Sequence, residues 1–389
     1  MRLLNPLILI LVLFSSACGL GIDPFPDQFP PGKPAIGFDP FGFLSIYRFL
    51  GQNAGFEPGG HLRASNGLIY GITRSGGLND AGTLYRLNPY RTGHTVLHHF
   101  DMRTGSDPLG APVEWETKLY GLTEHGGTRS GGVLYRIDLT GGNYQVLHEF
   151  DFGSSGAPYQ LMRGLVRNGD FLYNVGQAGG VYGLGGIFRY GLTTQSMATL
   201  SSFDELGATP TGNLVFWNGR VCTTLTLTGP DSWYFNCYQD SIPGDLFLGT
   251  FHSNPMLGQL PGALVAVGPE VYGVCQSGGD HGYGTIFWLD ASLSLSKIHS
   301  FSEPMFDGRL QSSLIHHEGH LYGATHQGGA LGGGTLYRIR PDGSGYTRLH
   351  SFDSQQPPAA LFLDQDRIRG ETLSDGSSDY GTLFQWRLY

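Results

Sequence analysis

The chain has 389 residues, of which 62 are glycine, 13% are aromatic and only 14% are charged. A formal net charge of −9 and an isoelectric point near 5.8 exclude the basic footprint of nucleic-acid-binding proteins, so no nucleic-acid partner is expected. Few stretches show the helical period of about 3.6 residues, and the glycine-rich, aromatic composition indicates an all-β protein.

Residues 1–17 have the features of an export signal, namely an early cation, a short apolar run and small residues before Cys18. The apolar run from Leu7 to Phe14 is too short for a membrane-spanning helix of about 20 residues. A cysteine directly after small residues resembles the lipobox of bacterial lipoproteins. The resemblance implies a lipid on Cys18; the alternative is an ordinary signal peptide cut before a plain cysteine.

Residues 18–42 contain six prolines and are predicted to form a semi-rigid tether to the folded domain. A lipid on Cys18 would make the membrane a permanent partner of the chain. Because Gly19 follows the cysteine, in place of the aspartate that resembles an inner-membrane retention signal, the expected location is the bacterial outer membrane or cell surface. We expect the protein to be a monomer.

The remaining sequence is a tandem repeat of about fifty residues. Each copy has an LYG-like signal, then a glycine with a short apolar-aromatic run, then an LHEFD-like signal. The aromatic of the last signal recurs at Phe100, Phe150, Phe203, Phe251, Phe301 and Phe352. The first two signals occur seven times, so the domain is expected to have seven units.

Each copy is read as four strands, which we name A to D in chain order. Strands B and C are apolar on both faces, so each four-stranded sheet must be covered on both sides by other sheets. Radial stacking around an axis achieves this and predicts a seven-bladed β-propeller. An open solenoid is the alternative, but it requires capping repeats that the sequence lacks.

The predicted propeller is a single domain over residues 43–389. Its blades are expected at about 56–101, 102–151, 152–204, 205–252, 253–302, 303–353, and 354–389 together with 43–50. The seventh copy ends before a strand D, whereas Phe49 lies 51 residues before Phe100 and is therefore in register with the strand D aromatics. Residues 44–50 are thus predicted to be the outer strand that closes the last blade.

Cys222 on strand B and Cys237 on strand C lie symmetrically about the Gly229-Pro230 turn of the fourth copy. A hairpin would place them opposite each other, so a disulfide is expected in an oxidising compartment. Cys275 would then be unpaired. The alternative is three buried free thiols.

The signals LYGLT, HGG, GVLYR and LHEFD of residues 119–151 resemble the GloVer tandem repeat of bacterial envelope proteins. The resemblance extends over roughly residues 44–389, and the fourth copy departs from it by lacking the LYG signal and the paired glycines. It implies an exported, surface-anchored repeat protein, and it supplies no catalytic residues.

Motifs for catalysis are missing: the chain has no HExxH, GxSxG or P-loop pattern, and neither a metal nor a cofactor is predicted. The histidines of strand D occupy one repeated position, which favours a structural role for His98, His148, His299 and His350. The cluster from His316 to His320 falls where other copies have an A–B turn and is read as a solvated loop.

Function on a repeat scaffold is expected where the copies differ, and their polar residues differ most in the B–C loops. The candidate binding face comprises Arg74, Asp80, Glu124, His125, Asp280, His281, His326, Asp375 and Asp379. The favoured interpretation is a noncatalytic module that binds a glycan, a peptide or a protein. The alternative is a carbohydrate-active lyase or hydrolase that uses the carboxylates and histidines of these loops.

Overall fold

A computed structural model describes residues 42–89, 93–151, 158–203, 209–226, 232–239, 245–252, 254–302, 313–353, 357–373 and 380–388. The predicted signal peptide, Cys18 and the tether up to residue 41 lie outside the described residues. So do two residues of the candidate binding face, Asp375 and Asp379.

The described chain forms seven antiparallel sheets, and it closes on itself as a β-propeller, which confirms the predicted fold. Blade 1 contains β2 (Phe56–Arg63), β3 (Ile69–Ser75), β4 (Thr83–Leu87) and β5 (Thr95–His99). Blade 2 contains β6 (Ser106–Trp115), β7 (Lys118–His125), β8 (Ser130–Asp138) and β9 (Gln145–Asp151). Blade 3 contains β10 (Pro158–Asn168), β11 (Phe171–Gly179), β12 (Gly186–Gly191) and β13 (Met197–Ser202).

Blade 4 contains β14 (Thr209–Pro210), β15 (Val215–Trp217), β16 (Arg220–Thr226), β17 (Ser232–Tyr238) and β18 (Asp245–His252). Blade 5 contains β19 (Gln259–Val267), β20 (Glu270–Ser277), β21 (Thr285–Leu289) and β22 (Leu295–Ser300). Blade 6 contains β23 (Leu314–His317), β24 (His320–Thr325), β25 (Gly332–Ile339) and β26 (Thr347–Asp353). Blade 7 contains β27 (Pro358–Asp364), β28 (Arg367–Thr372), β29 (Thr382–Arg387) and β1 (Phe43–Arg48), and one 3₁₀ turn spans Gln52–Ala54.

The N-terminal strand β1 closes the ring, as the sequence predicts. It pairs with β29 in antiparallel register from Phe43 opposite Trp386 to Arg48 opposite Thr382. Phe49 is buried in one cluster with Leu383, and its backbone N–H donates to the carbonyl of Gly381. Strand β29 therefore has no exposed edge, because the first strand of the domain covers it.

Packing explains why the LYG signal contains a glycine. Gly121 on β7 lies directly opposite Tyr135 on β8, and a Cβ at Gly121 would be 2.2 Å from the Tyr135 hydroxyl. The same contact recurs where the partner is phenylalanine, since a Cβ at Gly273 would be 2.2 Å from the Phe287 ring. Glycine at this place lets the large aromatic of strand C lie flat across strand B.

Seven clusters of buried apolar residues fill the seams between neighbouring blades. At the outer edge of several seams, a histidine of one strand D stacks on an aromatic of the next. His98 lies 3.9 Å from Tyr144 and His299 lies 4.4 Å from Tyr346, both in parallel stacks measured between ring centroids. Where β1 closes the ring the order is reversed, with Tyr47 over His94 at 4.5 Å. Stacking thus accounts for the positions of His98 and His299, in line with the structural role predicted for them.

The fourth blade differs from the others in its inner strand, which is divided into β14 and β15. Between them, Asn213 accepts a hydrogen bond from the backbone N–H of Leu264 at 2.6 Å and donates to its carbonyl at 3.1 Å. The amide of Asn213 therefore pairs with the neighbouring inner strand as a backbone group would, and β-pairing within the blade is interrupted.

Candidate functional site

Five B–C loops of the described chain, those of blades 1, 2, 3, 5 and 6, share one fold, which the paired glycines impose. In blade 1, Gly76 and Gly77 both have positive φ, and the carbonyl of Gly76 accepts from the N–H of Gly82. In four of these loops the next N–H donates to the side chain just before the strand D aromatic. This bond joins Leu78 to His99, Val181 to Ser202, Asp280 to Ser300 and Ala330 to Ser351. Each of these four loops is thus fastened to the outer strand of its own blade.

Strand direction places the B–C loops and the D–A connections at one end of the propeller, which we call the B–C face. Three predicted binding-face residues form ion pairs there, and a fourth, His125, is hydrogen-bonded to a carboxylate. Arg74 of blade 1 pairs with Glu124 of blade 2 at 2.6 Å, and His125 lies 3.2 Å from Asp107. Asp280 pairs with Lys297 at 2.6 Å, which holds the pKa of that exposed carboxyl below its usual value.

The other predicted residues are scattered. Asp80 accepts a hydrogen bond from the N–H of Gly76, so its carboxylate shapes its own loop. His281 lies exposed at the tip of the fifth loop. His326 is buried with 4% exposure, which removes its side chain from the accessible surface on which we expected it. The structure therefore brings Arg74 and Glu124 together but does not gather the predicted set around one point.

Apolar side chains mark the B–C face more clearly than polar ones, and the sequence analysis did not select them. Ten large apolar residues are exposed in the described chain, and eight of these lie in B–C loops or D–A connections. They are Leu50, Leu78, Met102, Val181, Tyr182, Met256, Tyr283 and Leu331. In the sequence, apolar residues that interrupt the glycine runs of the loop tips are the signal that could have revealed such side chains.

A second feature lies on the propeller axis. The inner strands of all seven blades line a central cavity of about 300 Å³, whose wall is mostly glycine, alanine and leucine. The inner strands approach closely, since a Cβ at Gly60 would be 2.3 Å from the backbone nitrogen of Ala111. Among the described residues that line this wall, His61 is the one with a titratable side chain, and that side chain is 1% exposed.

His61 forms a buried pair that crosses the seam between the first and last blades. Its Nδ1 atom is hydrogen-bonded to a carboxylate oxygen of Glu371, and the two side chains are 1% and 0% exposed. The Nε2 atom of His61 and the second carboxylate oxygen of Glu371 have no hydrogen-bond partner. The Phe362 ring packs against the imidazole in a T-shaped arrangement, at 3.9 Å between centroids.

Sequence reasoning missed this pair, although a comparison of the copies contains the signal. His61 lies opposite the glycine of its own LYG signal, where other blades place Leu264, Leu314 and Leu361. Glu371 lies opposite Leu383, at the position where other B strands place Ile72, Leu122, Val274 and Ala324. An apolar seam contact is therefore replaced by a polar one at this seam.

A charged cluster crosses the same seam. Asp364 accepts from both Arg369, at 2.6 Å, and Arg63 of the first blade, at 3.1 Å. Burial lowers the pKa of Arg369, and the Asp364 carboxylate opposes this effect. Within the described residues, the seam where the ring closes thus contains both the His61–Glu371 pair and the Asp364–Arg369 pair.

Two further observations limit the chemistry of the described residues. They include no group of three or more histidine, cysteine, aspartate or glutamate side chains arranged to hold a metal ion. The same residues include no helix that is long and apolar enough to cross a bilayer.

Cys222 and Cys237 are joined by a disulfide, in the pairing that the hairpin predicts, and they face each other across β16 and β17. Cys275 is free and buried, and burial raises the pKa of its thiol to about 12. A buried neutral thiol of this kind is a poor nucleophile.

Solved structures similar to this chain share its fold at low sequence identity. A chain of a mitotic checkpoint complex aligns with a TM-score of 0.54 and 14% identity, covering 93% of this chain and 98% of that one. The β-propeller domain of the trilobed protease from Pyrococcus furiosus aligns with a TM-score of 0.53 and 10% identity, covering 85% and 95%. A puromycin-hydrolyzing peptidase from Mycobacterium tuberculosis gives a TM-score of 0.53 and 13% identity over 85% of this chain, which spans only 52% of that protein. These likenesses establish the propeller fold alone.

A comparison with curated protein sequences found no match. The profile of the Gloeobacter/Verrucomicrobia repeat matches residues 38–235 and 246–387, which together include most of the chain. With its seven repeats closed into a ring, the chain belongs to the Gloeobacter/Verrucomicrobia repeat family.

Proposed function

We propose that this protein is a lipid-anchored, extracytoplasmic module that binds a protein or peptide partner on its B–C face and catalyses no reaction. The concentration of exposed apolar side chains at that end of the propeller carries the proposal. Single exposed apolar residues are normal on soluble proteins, but eight of ten at one end indicate an interaction surface. The anchor would be a lipid on Cys18.

The side chains of this surface favour a protein partner over a glycan. Leu78, Val181 and Leu331 are aliphatic and more than half exposed, and aliphatic groups gain most from apolar contacts. Tyr182 and Tyr283 add amphipathic rings of the kind enriched in protein interfaces. The carboxylates invoked for a lyase or hydrolase, Glu124 and Asp280, are engaged by Arg74 and Lys297, so we advance no enzymatic alternative.

The position of β1 supports an outward orientation of the B–C face. The strand begins at Phe43 at the opposite end of the propeller and runs toward the B–C face. A tether of residues 19–42 in an extended conformation would reach about 75 Å, at about 3.1 Å per residue. A lipid on Cys18 would thus hold the opposite end toward the bilayer and leave the B–C face accessible.

Site-specific photo-crosslinking in living cells tests the binding surface. We expect a crosslinker at Leu78, Tyr182 or Leu331 to trap the same protein partner. The control position is Leu363, which is 38% exposed but lies beside the A–B turn at the other end. Equal adducts from Leu363, or none from the three loop positions, would contradict the proposal.

The anchor is tested by Cys18→Ala in the full chain. The variant should leave the membrane fraction, because the acyl chains supply the membrane affinity. Fractionation after a carbonate wash measures this, with Cys275→Ala as the control that retains Cys18. A Cys18→Ala protein that stays with the membrane would show that the anchor lies elsewhere.

A further inference from the structure

We propose that the partner on the B–C face presents a cationic segment with apolar side chains, and that this segment docks on blade 1. The inference rests on the proposed function and specifies the chemistry of the partner. It is based on a group of exposed apolar side chains, which we call the blade 1 patch, and on the charges around that group. The blade 1 patch consists of Leu50, Leu78 and Met102.

The blade 1 patch is one continuous area, because the B–C loop of blade 1 is hydrogen-bonded to both neighbouring D–A connections. The N–H of Gly77 donates to the carbonyl of Gln52 at 2.7 Å, and the side chain of Asn79 donates to the carbonyl of Phe100 at 2.9 Å. One patch residue lies between Gly77 and Asn79 in the chain, and the other two lie within two residues of Gln52 and Phe100. All three side chains are more than half exposed.

Acidic side chains surround the blade 1 patch. The B–C loop of blade 1, its two connections and the adjoining strand ends hold four carboxylates and two guanidinium groups, and Glu124 of blade 2 pairs with one of the guanidinium groups. The four carboxylates belong to Glu57, Asp80, Asp101 and Asp107, and the two guanidinium groups to Arg74 and Arg103. With Glu124 included and histidines counted as neutral, the net charge around the patch is −3.

The other exposed apolar side chains of the B–C face have fewer charges beside them. Among the described residues, the blade 3 loop at 177–185, the blade 6 loop at 327–334 and the connection at 254–258 contain no aspartate, glutamate, lysine or arginine. In blade 5 the carboxylate of Asp280 is paired with Lys297. An apolar surface with excess negative charge is thus a property of blade 1 that blades 3, 5 and 6 do not share.

Charge complementarity determines which occupant fits the blade 1 patch. The surrounding carboxylates attract lysine and arginine side chains and disfavour anionic surfaces, including an anionic lipid surface. In a symmetric contact, a second copy of this chain would place the same acidic surface opposite itself. The tether at residues 19–41 contains three aspartates and one lysine, so it is not complementary either. The occupant is therefore a segment of another protein that carries both basic and apolar side chains.

Two short synthetic peptides test this chemistry on the purified full chain. One alternates leucine with lysine, and the other alternates leucine with glutamate. At about 0.1 M salt, where the screening length is about 10 Å, fluorescence anisotropy should detect binding of the lysine peptide and no binding of the glutamate peptide. Binding of the lysine peptide should weaken as more salt is added, because exposed charges are then screened more strongly.

A charge-neutralising variant tests whether the peptide binds at blade 1. It combines Glu57→Gln, Asp80→Asn and Asp107→Asn, which removes three negative charges and keeps the side-chain shapes. Asparagine tolerates the positive φ of Asp80 and Asp107 and can accept hydrogen bonds in place of the carboxylate. The variant should melt as the wild type does and bind the lysine peptide about tenfold more weakly, at roughly twofold for each exposed ion pair lost.

The matched control combines Glu116→Gln, Glu318→Gln and Asp366→Asn. It changes the net charge by the same amount in A–B turns, at the opposite end of the propeller. It should bind the lysine peptide as tightly as the wild type, because charges farther away than the screening length contribute little.

Three results would overturn the inference: the lysine peptide does not bind, both peptides bind equally, or the charge-neutralising variant binds the lysine peptide as tightly as the wild type. Photo-crosslinking from Leu78 in cells separates this inference from the proposed function. If the same partner is trapped equally by the wild type and by the charge-neutralising variant, the proposed function stands and the cationic segment is wrong. If no loop position of the wild type traps a partner, the proposed function itself is wrong, and this inference with it.

Discussion

At the residue scale, the repeated glycines have distinct physical roles that the pattern alone does not separate. Gly76 and Gly77 supply left-handed backbone for a B–C loop. Gly121 instead makes room for the ring of Tyr135, without a left-handed conformation. The two kinds of position should therefore respond differently to alanine, through backbone strain in one case and overpacking in the other.

Gly121→Ala should destabilise the protein by about 1–3 kcal/mol, because the new methyl group meets the Tyr135 ring in a packed seam. Gly142→Ala is the matched control, since a Cβ at Gly142 has no neighbouring atom within 4 Å. Denaturant unfolding of both variants measures the difference. Equal free energies of unfolding would show that the LYG glycine has no packing role.

At the element scale, the stacked histidines make the stability of the contacts between neighbouring outer strands depend on pH. Burial lowers the pKa of His94 to about 4 and that of His98 to about 4, from an ordinary value of 6.5. Burial also lowers the pKa of His148 and of His299. Because the unfolded chain binds protons more readily, these residues contribute full stability above about pH 6.5 and lose it as the pH falls toward 4.

His98→Phe should reduce the loss of stability between pH 6.5 and 4, because phenylalanine keeps a ring on Tyr144 but cannot take up a proton. The difference is at most about 3 kcal/mol, at about 1.4 kcal/mol per pKa unit. Unfolding temperatures across this pH range provide the measurement. Tyr144→Phe keeps both His98 and the stack, so it should retain the wild-type pH dependence. If His98→Phe lost stability between pH 6.5 and 4 as steeply as the wild type, the explanation would be wrong.

The strands illustrate what the sequence can and cannot predict. Strand β1 was predictable because Phe49 continues a spacing that six later aromatics establish, and Cys222 and Cys237 were predictable because a hairpin brings symmetric positions together. A comparison of the copies shows that His61 and Glu371 each depart from the repeat, but it does not show that the two residues meet, because they are 310 positions apart. The division of β14 from β15 also depends on a neighbouring blade, through Asn213.

At the scale of the whole molecule, the ring depends on its first strand. Ile46 and Phe49 are almost fully buried in the seam with blade 1, together with Tyr85 and Leu383. Without β1, both this apolar cluster and the edge of β29 would be exposed to solvent. Exposed apolar surface and an open strand edge are the usual conditions for aggregation.

Deleting residues 43–49 should therefore lower the unfolding temperature sharply and promote aggregation. The lost burial of Ile46 and Phe49 alone corresponds to about 3–6 kcal/mol. Deleting residues 19–41 is the control, and it should leave the unfolding temperature unchanged. Calorimetry with light scattering compares the two proteins, and equal stability would mean that β1 does not close the ring.

The same strand determines how the molecule responds to force. If the chain is held at Cys18 while a partner pulls on the B–C face, tension enters along the axis of β1, because Phe43 begins the strand. Load along a strand is shared by all of its ladder hydrogen bonds at once, from the pairing of Phe43 with Trp386 to that of Arg48 with Thr382. Strand β1 is then the first element under tension, and its detachment from β29 would open the ring.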